Sequence, residues 1–417
     1  MISDSMNNCR VGPRLSRARL IAIFIAGALS SLTTVMQAQG VAPPLWTRDS
    51  IRSTALGETR FFRIALPEGY DNRDFAAERY PVLIVLDAEF DEGFAPTVAN
   101  TRALAVLGPP RIPRVIVVGV ENTNRLRDMT PVEFRQAFKT DVYGGAPAFL
   151  RFLSTELWPY ISQHYRALPV VVLAGHSLSG LFAAWAFGQQ PDFFRGAIAL
   201  SPSFVGNSAV NQQTVDGVAK RTEPGRLYVA AGTAEGPEMR LGAESFVAAL
   251  YPRLAPGVIV KHEAIGGASH DHTSLFGLIA GLQFVFDPVS LAGYEVPSLV
   301  AAGAPIPRLI AAFDSTRERY IRGARQLGMP QRLPLSFLRY QSTKYQDSTV
   351  APFRLRVCQE YASAYPTFWY GHACTGDAQT ILHRIPEATA SYRQASEAAR
   401  RAGENAVADS LKLKGRL

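Results

Sequence analysis

Short apolar runs and longer amphipathic stretches alternate along most of the chain. Runs of strand length fall at 59–66, 80–86, 115–120, 170–174, 196–200, 227–231 and 258–265. The run Val170-Val171-Val172-Leu173-Ala174 has no polar position, which suits a strand buried on both faces. Between the runs the apolar period lengthens. Over 146–161, Phe149, Leu150, Leu153, Leu157, Tyr160 and Ile161 share one helical face, and 181–187, 244–254 and 273–286 also read as helices. Strands alternating with helices of this length predict an α/β fold, a mostly parallel sheet with helices on both faces. Such sheets carry their chemistry at the carboxyl ends of the strands.

Composition narrows the class. A chain of 417 residues exceeds one average domain, and 47% hydrophobic with 19% charged residues describes a globular protein. The net charge of +8 falls to +5 without Arg10, Arg14, Arg17, Arg19 and Asp4 of the first 39 residues. The remaining excess forms no basic block, so no nucleic-acid partner is expected. Arg14, Arg17 and Arg19 precede the apolar run 20–29, followed by Ser30, Ser31 and the small-residue exit Gln37-Ala38-Gln39. That three-part pattern predicts a secretory signal peptide over 1–39 and a periplasmic or secreted protein. The run is short for a membrane span, so no stable membrane insertion is expected after cleavage. An uncleaved anchor is the alternative, because Met36 replaces the usual small residue. Cys9 lies upstream of the run and is no lipidation site. Cys358 and Cys374, with fifteen residues between them, are expected to close a disulfide worth ~3 kcal/mol, with two buried thiols as the alternative.

The chemistry centres on Gly175-His176-Ser177-Leu178-Ser179-Gly180, between the buried strand and the next helix. A serine on such a turn, with glycine two positions before it, is the nucleophile-elbow arrangement, although an ordinary βα turn carries Gly-x-Ser as well. Ser179 stands where the pattern has glycine. The acid and base should follow later strands, in the order serine, acid, histidine. Glu235 follows 227–231, and His270 follows 258–265 in the loop Gly266-Gly267-Ala268-Ser269. Ser177 is then the nucleophile, His270 the general base and Glu235 the carboxylate that orients it. Glu238 and His272 are the fallback acid and base, and a plain Ser–His pair is a further alternative. The oxyanion hole is expected from the Leu178 amide and, in the loop Asp87-Ala88-Glu89-Phe90, from the Ala88 amide with Glu89 as its neighbouring alternative. No metal or cofactor is implied.

With these residues placed, the chain resembles the putative-esterase family of α/β hydrolases over roughly 51–288, most clearly its siderophore-esterase-like branch. The resemblance rests on Tyr80-Pro81-Val82-Leu83 leading to Leu86-Asp87, on Asn124-Arg125-Leu126-Arg127-Asp128-Met129-Thr130-Pro131, and on Gly144-Gly145-Ala146. It continues through Glu156-Leu157-Trp158-Pro159-Tyr160, the elbow, Ser201-Pro202-Ser203, and His270 ahead of Leu282-Gln283-Phe284. It implies an α/β-hydrolase domain over 40–288 and a serine esterase acting on a small-molecule ester. Acyl transfer on the same triad and a non-catalytic binding protein are the alternatives. It also implies that Arg125 or Arg127 meets an anionic substrate, with a structural Arg127–Asp128 pair as the other possibility. Relatives carry Asp-Gly where this chain has Asp87-Ala88.

From 289 to 417 the pattern is helical. Gly376, Glu387, Ala388, Tyr392 and Ala395 fall at the spacing of one tetratricopeptide-like repeat, which cannot stack into a solenoid alone. A helical extension is expected that packs on the hydrolase unit or binds a protein partner, with a plain helical hairpin as the alternative.

Overall fold

In the computed structural model, which describes residues 45–131 and 143–416, the seven apolar runs become strands of an eight-stranded sheet. The expected signal segment lies outside the described residues. The strands are β1 (Thr47–Arg52), β2 (Thr59–Ala65), β3 (Tyr80–Val85), β4 (Ile116–Val120), β5 (Ala167–His176), β6 (Phe194–Leu200), β7 (Gly225–Gly232) and β8 (Val258–Ile265). Their order is β1-β2-β4-β3-β5-β6-β7-β8. β1 and β2 run antiparallel to their neighbours, and β3 through β8 are mutually parallel. Every residue of β4 is buried, as a doubly covered strand requires.

Alternate residues feed two cores, because strand side chains point to opposite faces in turn. Val82, Ile84, Val118, Val171, Leu173 and Val229 face one layer of helices. That layer holds α3 (Ala146–Arg151), a π-helical turn (Phe152–Leu157), α4 (Trp158–His164), α5 (Leu178–Gln189), α6 (Ser208–Ala219) and α7 (Pro237–Leu250). Leu83, Val117, Val172, Ile198 and Tyr228 face the other, where α1 (Asp91–Val106) and α8 (His270–Phe286) lie. The short α2 (Arg125–Met129) precedes α3. Several element boundaries differ from the sequence pattern. α5 begins at Leu178, α7 ends at Leu250, and α8 begins at His270 itself, where Ser269 is the N-cap residue. His270 is therefore the first helical residue rather than a loop residue.

The C-terminal helices extend the second core. They are α9 (Val296–Ala301), α10 (Ile306–Leu327), α11 (Leu335–Lys344), α12 (Ala351–Ala364), α13 (Trp369–Ile381), α14 (Ile385–Arg401) and α15 (Asn405–Lys414). Leu309, Phe313, Leu338, Phe353 and Val357 belong to the same apolar cluster as Leu83 and Val172. Gly323 allows α10 to close on the sheet-side chain, since a Cβ there would fall 1.8 Å from the Pro288 carbonyl oxygen. A disulfide between Cys358 and Cys374, with Cα atoms 5.5 Å apart, joins α12 to α13. Gly376 lets the Tyr392 ring of α14 lie against α13, where a Cβ would come within 2.8 Å. Among the described residues, no helix is long and apolar enough to cross a membrane.

Candidate active site

Ser177 lies between the end of β5 and the start of α5, at φ 60° and ψ −117°. A non-glycine residue in that region costs on the order of 1–3 kcal/mol and persists only where its surroundings over-determine it. Here they do. A Cβ on Gly175 would fall 2.2 Å from the Ser179 carbonyl oxygen, and one on Gly180 2.9 Å from that of Leu200. Both positions therefore need glycine. Ser179 is fully buried, and its Oγ accepts from the His176 amide at 2.8 Å and donates to Asp87 Oδ2 at 2.7 Å. The residue in the glycine position thus ties the elbow to the loop after β3.

Asp87 is the hub of that tie. Arg125 forks it through Nε and Nη2, each at 2.8 Å, and the Asn122 side-chain amide donates at 2.7 Å. Burial pushes the Asp87 carboxyl up, but Arg125, Asn122 and Ser179 outweigh it and hold the group below its ordinary value. Arg125 also donates to the His176 carbonyl at 3.2 Å. Arg127 is forked on Glu58, at 2.6 and 3.1 Å, and bonded to the buried Asp128 at 2.7 Å. Asp128 in turn pairs with the fully buried Arg60. Both arginines assigned to an anionic substrate are therefore paired with the protein's own carboxylates. Arg125 keeps 38% of its side chain exposed.

Glu235 and His270 meet at the ends of β7 and β8. His270 Nδ1 lies 3.0 Å from Glu235 Oε2, and the Glu235 side chain is fully buried. Its Oε1 accepts from Ser201 Oγ, from the Gly232 amide at 2.5 Å and from Thr273 Oγ1 at 2.8 Å. Burial pushes the carboxyl up, but the bonds from Ser201, His270, Gly232 and Thr273 prevail and hold it below its ordinary value. A carboxylate at Oε2 requires the proton on Nδ1, which leaves His270 Nε2 as the basic nitrogen. His270 is brought to the elbow by His176. The two rings are 4.5 Å apart, and His176 Nε2 bonds the His270 carbonyl at 2.8 Å. A carbonyl oxygen only accepts, so His176 donates from Nε2, and burial lowers its imidazole below its usual value.

Among the described residues, Ser177 Oγ contacts Ser203 Oγ at 3.4 Å, and no hydrogen bond joins it to His270. Such bonds are often long in a free site and tighten on substrate. The fallback residues lie elsewhere. Glu238 is exposed in the first turn of α7, and His272 is exposed with Nδ1 3.0 Å from Ser269 Oγ.

The Leu178 amide opens α5, where first-turn amides lack helical acceptors. Ala88 does not fit its expected role, because its amide donates to the Val120 carbonyl at 3.1 Å and the residue is 1% exposed. The β3 loop curls back onto β4 at that point. Asp87, at φ 58°, turns the chain there, and the Glu89 carboxylate that follows accepts from the Asn122 side-chain amide at 2.8 Å. The sequence reading also missed Ser201 and Thr273, the hydroxyls that hold Glu235. Thr273 lies three residues after His270, one helical turn on, and that spacing was its only signal. Among the described residues, no three His, Cys, Asp or Glu side chains cluster as metal ligands.

Residues 53–238 match the sequence profile of the family described as Putative esterase. Ferri-bacillibactin esterase BesA of Bacillus subtilis is 31% identical over 179 residues, 37% of this chain. The chain spans 60% of the length of that curated relative. The fold is shared with an IroE-like serine hydrolase from Shewanella oneidensis, at TM-score 0.61 and 23% identity, covering 77% of this chain and 98% of that one. An uncharacterised protein from Capnocytophaga ochracea aligns over 84% of this chain and 93% of its own, at TM-score 0.55 and 20% identity. Over residues 53–238 the chain is thus similar to the putative-esterase family, and its fold is shared with the solved structures named above.

Proposed function

We propose that the chain is an exported serine carboxylesterase working through an acyl-enzyme on Ser177. The observation that carries this is the contact of His270 with the buried Glu235, together with a serine on a strained strand-to-helix turn. His270 Nε2 would take the Ser177 proton as Oγ attacks the ester carbonyl. Glu235 would hold the Nδ1 tautomer and stabilise the imidazolium. The oxyanion would be met by the Leu178 and Glu89 amides. His270 would return the proton to the leaving alcohol, then activate a water that frees the acid and restores Ser177. The disulfide between Cys358 and Cys374 suits an oxidising compartment and supports export. The relative named for ferri-bacillibactin makes siderophore esters the first natural substrates to assay.

The test is hydrolysis of p-nitrophenyl acetate by wild type and Ser177→Ala. The expected result is turnover that falls to background in the variant. Full activity in Ser177→Ala would overturn the proposal. Product analysis with a competing alcohol separates hydrolysis from acyl transfer.

A further inference from the structure

A cavity of about 550 Å³ opens at the end of the sheet opposite Ser177. Its walls include Tyr80 and Leu168 near the starts of β3 and β5, and Arg114 just before β4. Leu168 is nine residues before Ser177 along β5, about 30 Å at the rise of a strand. The opposite wall comes from the C-terminal helices, so the cavity exists only because the extension is docked on the hydrolase unit.

The lining is mainly apolar, with Ile112, Leu168, Leu291, Tyr320, Met329 and Phe337 among the walls. The volume falls within the range of small-molecule pockets, roughly 300–1,000 Å³. Set into this apolar surface is Glu78, only 7% exposed. Its Oε1 accepts from Ser336 Oγ at 2.9 Å, and its Oε2 has no hydrogen-bond partner among the described residues. Nη1 of Arg114 is likewise buried and unpartnered. Groups of this kind are normally satisfied by protein, by ordered water or by a ligand. Burial, acting against Arg114 and Arg166, pushes the Glu78 carboxyl above its usual range, toward the form that donates a proton. Arg79, Arg332 and Lys344 complete the charged lining. Four cationic side chains and one carboxyl thus line the cavity.

We propose that this cavity is a second binding site that takes an amphipathic carboxylate. Its acyl or aryl body lies on the apolar wall, and its carboxylate reaches Glu78 Oε2 and Arg114 under the cationic lining. A carboxyl donating to a carboxylate beside a guanidinium satisfies both unpartnered atoms and matches the sign of the site. The site is separate from the Ser177 centre and does not depend on its chemistry.

The probe is dodecanoate, titrated calorimetrically into the full chain below its micellar concentration, with dodecylammonium as the charge control. Two exposed lining residues supply variants, Ser298→Trp to obstruct the cavity and Lys344→Glu to reverse a charge. The expected result is one site per chain, weakened at least tenfold by Ser298→Trp and about fivefold by Lys344→Glu. Ser177→Ala leaves binding unchanged, and dodecylammonium binds at least tenfold more weakly. Ser298→Trp is expected to hydrolyse p-nitrophenyl acetate at the wild-type rate. Absence of dodecanoate binding, equal binding of the cation, or loss of binding in Ser177→Ala would overturn the proposal. If thermal melting shows Ser298→Trp to be misfolded, the Lys344→Glu result decides, and an unchanged affinity there overturns it.

Discussion

The Ser179–Asp87 contact makes a quantitative prediction about the elbow. Ser179→Ala removes a hydrogen bond to a charged acceptor, worth ~1.5–3 kcal/mol, and strips the His176 amide of its acceptor, worth ~1 kcal/mol. The variant should lose ~3 kcal/mol of unfolding free energy in a urea titration. Asp87→Ala should lose ~4 kcal/mol, tempered because Arg125 is partly exposed and can rehydrate. The two residues touch, so their effects should not add. A double-mutant cycle is expected to give a coupling of ~1.5 kcal/mol. The pH dependence has a definite sign. The Asp87 carboxyl is depressed below its ordinary 3.8 in the folded state, so in acid the unfolded chain takes up its proton first. Its stabilisation is whole above about pH 4 and is lost as pH falls through the lower folded value. The Asp87→Ala penalty should therefore stay constant from pH 8 to pH 5 and shrink in stronger acid. Because Asp87 joins the elbow to the Glu89 loop, kcat on p-nitrophenyl acetate should also fall about tenfold, ~1.4 kcal/mol. A coupling below ~0.5 kcal/mol, or a penalty that grows in acid, would refute the reasoning.

Glu235→Gln offers His270 an amide donor and forces the proton onto Nε2, so kcat/KM should fall roughly 10³- to 10⁴-fold with folding retained by circular dichroism. Glu238→Gln and His272→Ala, both exposed and off the hydrogen-bonded site, should stay within twofold of wild type in the same assay. Gly175→Ala drives a Cβ into the Ser179 carbonyl, and soluble, active protein should not be recovered. Replacing Cys358 and Cys374 with serine should lower stability by ~2–4 kcal/mol, read as a lower Tm, while ester turnover at 25 °C is unchanged.

The buried centre of the sheet was legible because its strands carry runs without a polar residue, as at Val170 to Ala174. β1 was not, since Thr47-Arg48-Asp49-Ser50-Ile51-Arg52 is a solvated edge strand held by backbone pairing to β2. α1 was missed as well. It has Pro96 inside and no apolar stripe, and it is packed by tertiary contacts from Phe94 and Val98 rather than by local pattern. The order of Ser177, Glu235 and His270 could be read from strand ends alone. The hydroxyls on Glu235 and the Asp87 hub could not, because they join segments up to 92 residues apart. Ala88 failed as an oxyanion donor for the same reason, its amide being taken by a strand 32 residues on. The cavity behind the sheet depends on how the C-terminal helices dock, which no single segment encodes.

The central claim is that Ser177 is an activated nucleophile, and labelling with a fluorophosphonate followed by peptide mass spectrometry tests it most directly. The mechanism predicts one phosphonyl adduct per folded chain, on the peptide containing Ser177, absent in Ser177→Ala and formed far more slowly in Glu235→Gln. No adduct on folded protein, or an adduct that persists in Ser177→Ala, would contradict it.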